Sequence, residues 1–159
     1  MPIRRGPKKR RGAKNKLAPN LEEAQAKFKK EIKKILILSA EEAVQFFQAN
    51  IIGRQGFLDR KVTKWPKRKR NVDPGRGILV GKGGGAKLWK SISRTTISAK
   101  RVTIGIKGEP KDYASVHNFG LRAGRGKGFI MPKRKFMGES KTLSKKITRL
   151  IKRRIKKIL

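Results

Sequence analysis

Cysteine is absent from this 159-residue chain, and histidine occurs only once. Without cysteine there is no disulfide, no thiol nucleophile and no thiolate metal site. The absence also fits a reducing compartment. One histidine and scattered acids supply no ligand set for a metal, and no cofactor is expected. Long apolar runs are missing as well. The longest, "ILIL" at 35–38, is far short of the roughly 20 residues that cross a bilayer, so no membrane partner is expected. The basic N-terminus is followed by no apolar segment of the secretory-signal kind. Negative charge is scarce too, with 10 Asp plus Glu against 45 Lys plus Arg.

What remains is positive charge and one modest core. The formal net charge is +35, which opposes a compact monomer by self-repulsion. A polyanion or an acidic protein surface is the expected partner, with nucleic acid first. Hydrophobic residues make up 36% and aromatics 6%, enough for one domain but not two.

Residues 1–19 read as a flexible basic arm. "RRGPKKRRGAKNK" combines Gly and Pro breakers with Arg4, Arg5, Lys8, Lys9, Arg10 and Arg11 and has almost nothing to bury. Extended, it reaches roughly 60 Å. Residues 20–159 read as a single domain. Asn20 is a good N-cap for a long helix, with Glu22 and Glu23 in its first turn. Leu21, Ala24, Phe28, Ile32, Ile35 and Leu36 step by three and four, and Ala40, Ala43, Val44, Phe47 and Ile51 continue the stripe. Core packing is the expected use of this stripe, ahead of a partner-helix surface. Ser39 before Glu41 and Glu42 resembles a second helix start, so a break or kink is expected there. Gly53 suits a C-terminal stop.

Residues 54–87 form a long, basic, turn-rich connection containing Lys67, Arg68, Lys69 and Arg70. The segments at 91–97 and 101–106 alternate apolar and polar residues around "SAK", which predicts a hairpin. A short helix over "YASVHNF" ends at Gly120. A basic glycine loop follows, with Arg122, Arg125 and Lys127, and then a short strand at "FIMP". Leu143, Ile147, Leu150, Ile151, Ile155 and Ile158 stripe a final helix over 139–158, with nine Lys or Arg on its other faces. The fold class is therefore α+β: a basic N-terminal arm, a long N-terminal helix, a small antiparallel β-sheet with a short helix, and a C-terminal amphipathic helix.

Catalytic readings fail on residue chemistry. A phosphate loop of the G-x-x-x-x-G-K-[ST] type would put Arg76 at its first glycine and Gly83 where a Mg²⁺-binding hydroxyl is needed. Acid–base catalysis would rest on His117 with Asp112, and a lone histidine on a short helix is more often structural. No enzyme activity is expected. No RNP aromatic pair, KH loop or zinc finger is present, so distributed cations point to phosphate contact without sequence reading. Trp65 and Trp89 could stack on bases, but core or interface anchoring is the preferred reading. A ribosomal-type RNA binder, a non-specific DNA compactor and a DNA-processing enzyme are the alternatives.

Several pieces, in order, resemble a known family. "RQGF" (54–57), Trp65, "ILV" (78–80), "LWKSI" (88–92), "VTIG" (102–105), "YASVHNFG" (113–120) and "MPKRKFMG" (131–138) are similar to the tail-completion, or virion-morphogenesis, proteins of tailed bacteriophages. The resemblance implies a noncatalytic virion protein of the neck, made in the host cytoplasm. It would form a ring, six copies by this reading, around the channel that DNA crosses. Its neighbours would be the head connector or head-closure protein and the tail terminator or tube. It also implies that Trp65, Tyr113, His117, Phe119, Gly120, Pro132, Arg134 and Phe136 are architectural, with Tyr113, His117 and Phe119 packing and hydrogen-bonding beside Pro132, Arg134 and Phe136. "GKGGGAK" departs from the short Thr-Gly turn usual before the leucine, and the charge exceeds what the family needs. A channel roughly 40 Å long holds about 24 DNA phosphates, whereas six copies at +35 supply about 210 charges. One basic element is therefore expected to face DNA while others meet acidic partners.

Overall fold

The computed structural model describes residues 17–69, 75–81, 87–98 and 100–158. The three-and-four periodicity produces helix α1, Leu17–Ala49, about 50 Å long. It begins before Asn20, so residues 17–19 are helical rather than part of an arm, with Pro19 in the first turn where a missing N–H does no harm. The expected break at Ser39 does not occur. Glu41 and Glu42 start no new helix. They pair across to Arg94 (3.3 Å) and Lys146 (3.0 Å).

The two halves of α1 differ. Residues 20–30 are all exposed, including Leu21 and Phe28, whereas Ile35, Ala40, Ala43, Phe46, Phe47 and Ile51 are buried. By length and composition alone, the helical stretch Asn20–Arg54 could cross a bilayer. In the fold the apolar face of its second half is the floor of the core.

Gly53 does not stop the helix. α1 runs into a π-helical turn, Asn50–Arg54, which ends at Gln55 in the left-handed region (φ 50°, ψ 44°). The wider turn aims the fully buried Asn50 into the core. Arg54 lies 4.9 Å over the Phe46 ring and donates to the Phe46 carbonyl and to Asn50 Oδ1, both at 3.0 Å.

The connection read as loop contains two further elements. Strands β1 (Gly56–Leu58) and β2 (Val62–Lys64) form an antiparallel hairpin. A Cβ on Gly56 would lie 2.4 Å from the Thr63 carbonyl oxygen, so only glycine fits this close approach. Helix α2, Lys87–Ser91, leads into the predicted hairpin of β3 (Ile92–Ile97) and β4 (Val102–Ile106), with Ile92 opposite Ile106 and a bulge between Arg94 and Thr96. Helix α3, Pro110–Phe119, closes on Gly120 at φ 73°, as the sequence predicts. β5 (Arg122–Ala123) pairs with β6 (Phe129–Ile130). Helix α4 spans Lys141–Ile155, capped by the Ser140 hydroxyl accepting from Leu143 N–H at 3.2 Å. Among the described residues the strands form three separate two-stranded sheets rather than one.

α1 packs on α4 and on the β3–β4 hairpin. The core gathers Ala43, Phe46, Phe47 and Ile51 of α1 and its turn with Trp65, Leu88, Ile92, Ala114, Phe136 and Leu143. Each α-helix and strand β3 thus contributes, together with the segments holding Trp65 and Phe136, and burial of this shared surface holds the short pieces together.

Candidate functional site

The segment 131–138 belongs to no strand among the described residues, yet its backbone is anchored at several successive positions. Arg134 N–H donates to the His117 carbonyl (2.7 Å). The Trp65 indole N–H donates to the Lys135 carbonyl (2.8 Å). Asn118 Oδ1 accepts from Phe136 N–H (2.9 Å) and Met137 N–H (3.0 Å). Asn50 Nδ2 donates to the Phe136 carbonyl (3.0 Å). Buried backbone groups need partners, and here side chains supply what a sheet would otherwise supply. Phe136, 1% exposed, fills the core between them.

This anchoring delivers Arg134 to a cavity of about 400 Å³, lined by Arg68, Arg76, Leu79, Tyr113 and His117 among others. Arg134 is 7% exposed. One terminal nitrogen donates to the Pro66 carbonyl at 3.4 Å, while its Nε and His117 Nδ1 have no partner among the described residues. Burial, and then Arg68 nearby, lowers the affinity of Arg134 for its proton. Burial, and then the Arg134 charge, holds the His117 imidazole below its ordinary 6.5. The Tyr113 and His117 rings meet edge-on at 6.2 Å. An adjoining cavity of about 330 Å³ shares Arg68 and Arg76 and adds Lys67 and Gln55.

On another part of the surface lies an apolar groove of about 710 Å³, lined by Phe47, Ile104, Ile106, Phe119, Phe136 and Met137 among others. Phe119, expected within the packing around His117, is 63% exposed and lines this groove instead. The β5–β6 hairpin that follows exposes Phe129 (57%) and Ile130 (72%). The predicted cations are all exposed, Arg125 and Lys127 at its tip and Arg122 in β5, with Arg122 donating to the Lys127 carbonyl.

Of the other residues singled out in sequence, Trp65 is a core side chain and is not available to stack on bases. Lys67 and Lys69 are exposed, whereas Arg68 is half-buried and lines the same cavity as Arg134. Pro132 is half-buried. At Gly120 a Cβ would meet Lys133 at 3.0 Å. Arg4, Arg5, Lys8, Lys9, Arg10, Arg11 and Arg70 lie outside the described residues. Sequence reasoning missed Asn50 and Asn118 as anchors. The one available signal was Asn118 lying within "YASVHNFG". It also missed that Arg68, His117 and Arg134 share a cavity. Among the described residues no group of His, Asp and Glu is arranged to hold a metal ion.

A family model described as the phage virion morphogenesis family matches residues 54–156, well over half of the chain. Comparison with curated proteins and with solved structures gave no match.

Proposed function

This chain belongs to the phage virion morphogenesis family, and on that premise we propose that it is a noncatalytic structural protein of a tailed-phage neck. It completes the tail and helps join it to the head connector, as a ring of copies around the DNA channel. The observation that carries the assembly reading is the coexistence, on one chain, of an apolar groove and an exposed apolar hairpin. Exposed apolar patches of this kind mark interaction surfaces. Two different complementary patches make a head-to-tail contact, which closes into a ring when the rotation between copies closes. The occupant of the groove is the β5–β6 hairpin of the next copy, with Phe129 and Ile130 as anchors. The uncovered first half of α1, with Leu21 and Phe28 exposed, offers a second surface for neck proteins. The basic hairpin tip and the 67–70 segment supply non-specific contacts to channel DNA or to acidic ring partners.

Mass photometry and negative-stain microscopy test this reading. The wild-type chain forms a closed ring of defined copy number. Ile130→Asp, at an exposed position, returns it to monomers with an unchanged circular-dichroism spectrum. A wild-type chain that stays monomeric at tens of micromolar, or an Ile130→Asp variant that still forms rings, overturns the hairpin-in-groove assembly.

A further inference from the structure

We propose that the cavity between Arg68, His117 and Arg134 is a binding site for a phosphate group. The inference is independent of the neck assignment and of ring assembly.

Two arginine side chains line this cavity together, one of them more than nine-tenths buried. No carboxylate lines the cavity among the described residues. A buried cation without a counter-charge is unfavourable, and a second cation beside it makes it more so. The fold nonetheless holds Arg134 in place through the anchored 131–138 segment, with its Nε unpartnered. An anion from outside the chain resolves this arrangement by accepting from Arg134 and Arg68 together. His117 Nδ1, also unpartnered, offers a third nitrogen from another element.

The donor set selects the anion. The three groups come from three chain segments: the stretch after β2, helix α3 and the 131–138 segment. A planar carboxylate suits the fork of a single arginine. A tetrahedral oxyanion presents oxygens in several directions and suits donors converging from different sides. The adjoining cavity, with Lys67 on its lining, leaves room for the rest of a phosphate-bearing molecule. The phosphate can belong to a nucleic-acid backbone, to a strand end or to a free phosphate compound, and the experiment separates these.

The test uses the full chain in isothermal titration at constant ionic strength, which holds non-specific attraction to a +35 protein fixed. Sodium phosphate is the probe and sodium acetate the planar control. Arg68→Gln is expected to weaken phosphate binding at least tenfold, as loss of a charge-assisted contact implies. Lys152→Gln, which removes one charge from the exposed face of α4, leaves it within about twofold. Arg134→Gln abolishes phosphate binding and raises the melting temperature in phosphate-free buffer, because it removes a buried charge that no described residue of the cavity lining compensates. Should that variant fail to fold, the half-buried Arg68 decides the matter. A short duplex with and without 5′-phosphate identifies the source. A preference for the phosphorylated end that Arg68→Gln erases assigns a strand terminus. Equal weakening of both duplexes assigns the backbone. No effect on either duplex, with inorganic phosphate still lost, assigns a free phosphate compound. Phosphate affinities alike in Arg68→Gln and Lys152→Gln, or acetate binding as tightly as phosphate, overturn the proposal.

Discussion

Replacing Asn118 with leucine removes the single oxygen that accepts from both Phe136 N–H and Met137 N–H. Asn118 is buried, so water cannot take its place. A buried donor left without a partner costs about 1–3 kcal/mol, and two such donors cost about 2–6 kcal/mol. Domains are stable by only about 5–15 kcal/mol, so this one change removes a large fraction of the total. For a chain of this size 1 kcal/mol moves the melting temperature by roughly 2–4 °C, and a mid-range loss of about 4 kcal/mol lowers it by about 8–16 °C. Urea unfolding followed by tryptophan fluorescence is the assay. Trp65 reports directly, because its indole donates to Lys135 in the same segment. The midpoint falls while the slope with urea stays constant, which marks a stability change rather than a change in compactness. A leucine variant within about 1 kcal/mol of wild type would show that the segment is held by packing of Phe136 alone. That result refutes the anchoring argument.

Two further expectations concern titration and capping. His117 is held below 6.5 in the folded chain by burial and by Arg134, so on acidification the unfolded chain takes up a proton first. Stability is therefore full above pH 6.5 and falls as pH drops through that value toward the lower folded one. His117→Gln flattens this slope between about pH 7 and 5.5, above the range where carboxylates titrate; identical slopes in the two proteins would refute the desolvation account. Ser140 caps α4 and also donates to the Leu58 carbonyl at 2.8 Å. Ser140→Ala loses the cap and leaves that carbonyl unpartnered, about 2 kcal/mol together. Hydrogen exchange at Leu143 N–H accelerates, and unchanged exchange there would contradict the cap's role.

The two candidate surfaces place different demands on the same segment. Residues 131–138 bring Phe136 and Met137 to the apolar groove and Arg134 to the cationic cavity. Because one run of hydrogen bonds positions both, a change at Asn50, Trp65 or Asn118 is felt at each. This links the stability of the fold to any partner that either surface recruits.

Local chemistry made much of the fold legible in the sequence. The three-and-four stripe of α1 and α4, the alternation at 91–97 and 101–106, and Gly120 after α3 each depend on neighbours along the chain. So α1, α3 and α4, the main hairpin and the α+β class could be read directly, whereas α2 could not, and the motifs from Arg54 to Gly138 gave the family. Glu41 and Glu42 misled because a helix-start pattern says nothing about partners 50 or 100 residues away, and those partners were Arg94 and Lys146. The β1–β2 hairpin was missed because its strands are three residues long and carry no alternation to detect. Only tertiary structure could show that Asn50 and Asn118 replace a missing strand, that half of the α1 stripe stays uncovered, and that Arg68, His117 and Arg134 meet. Each of these depends on which distant backbone groups are left needing a partner once the core has closed, and a linear pattern does not contain that information.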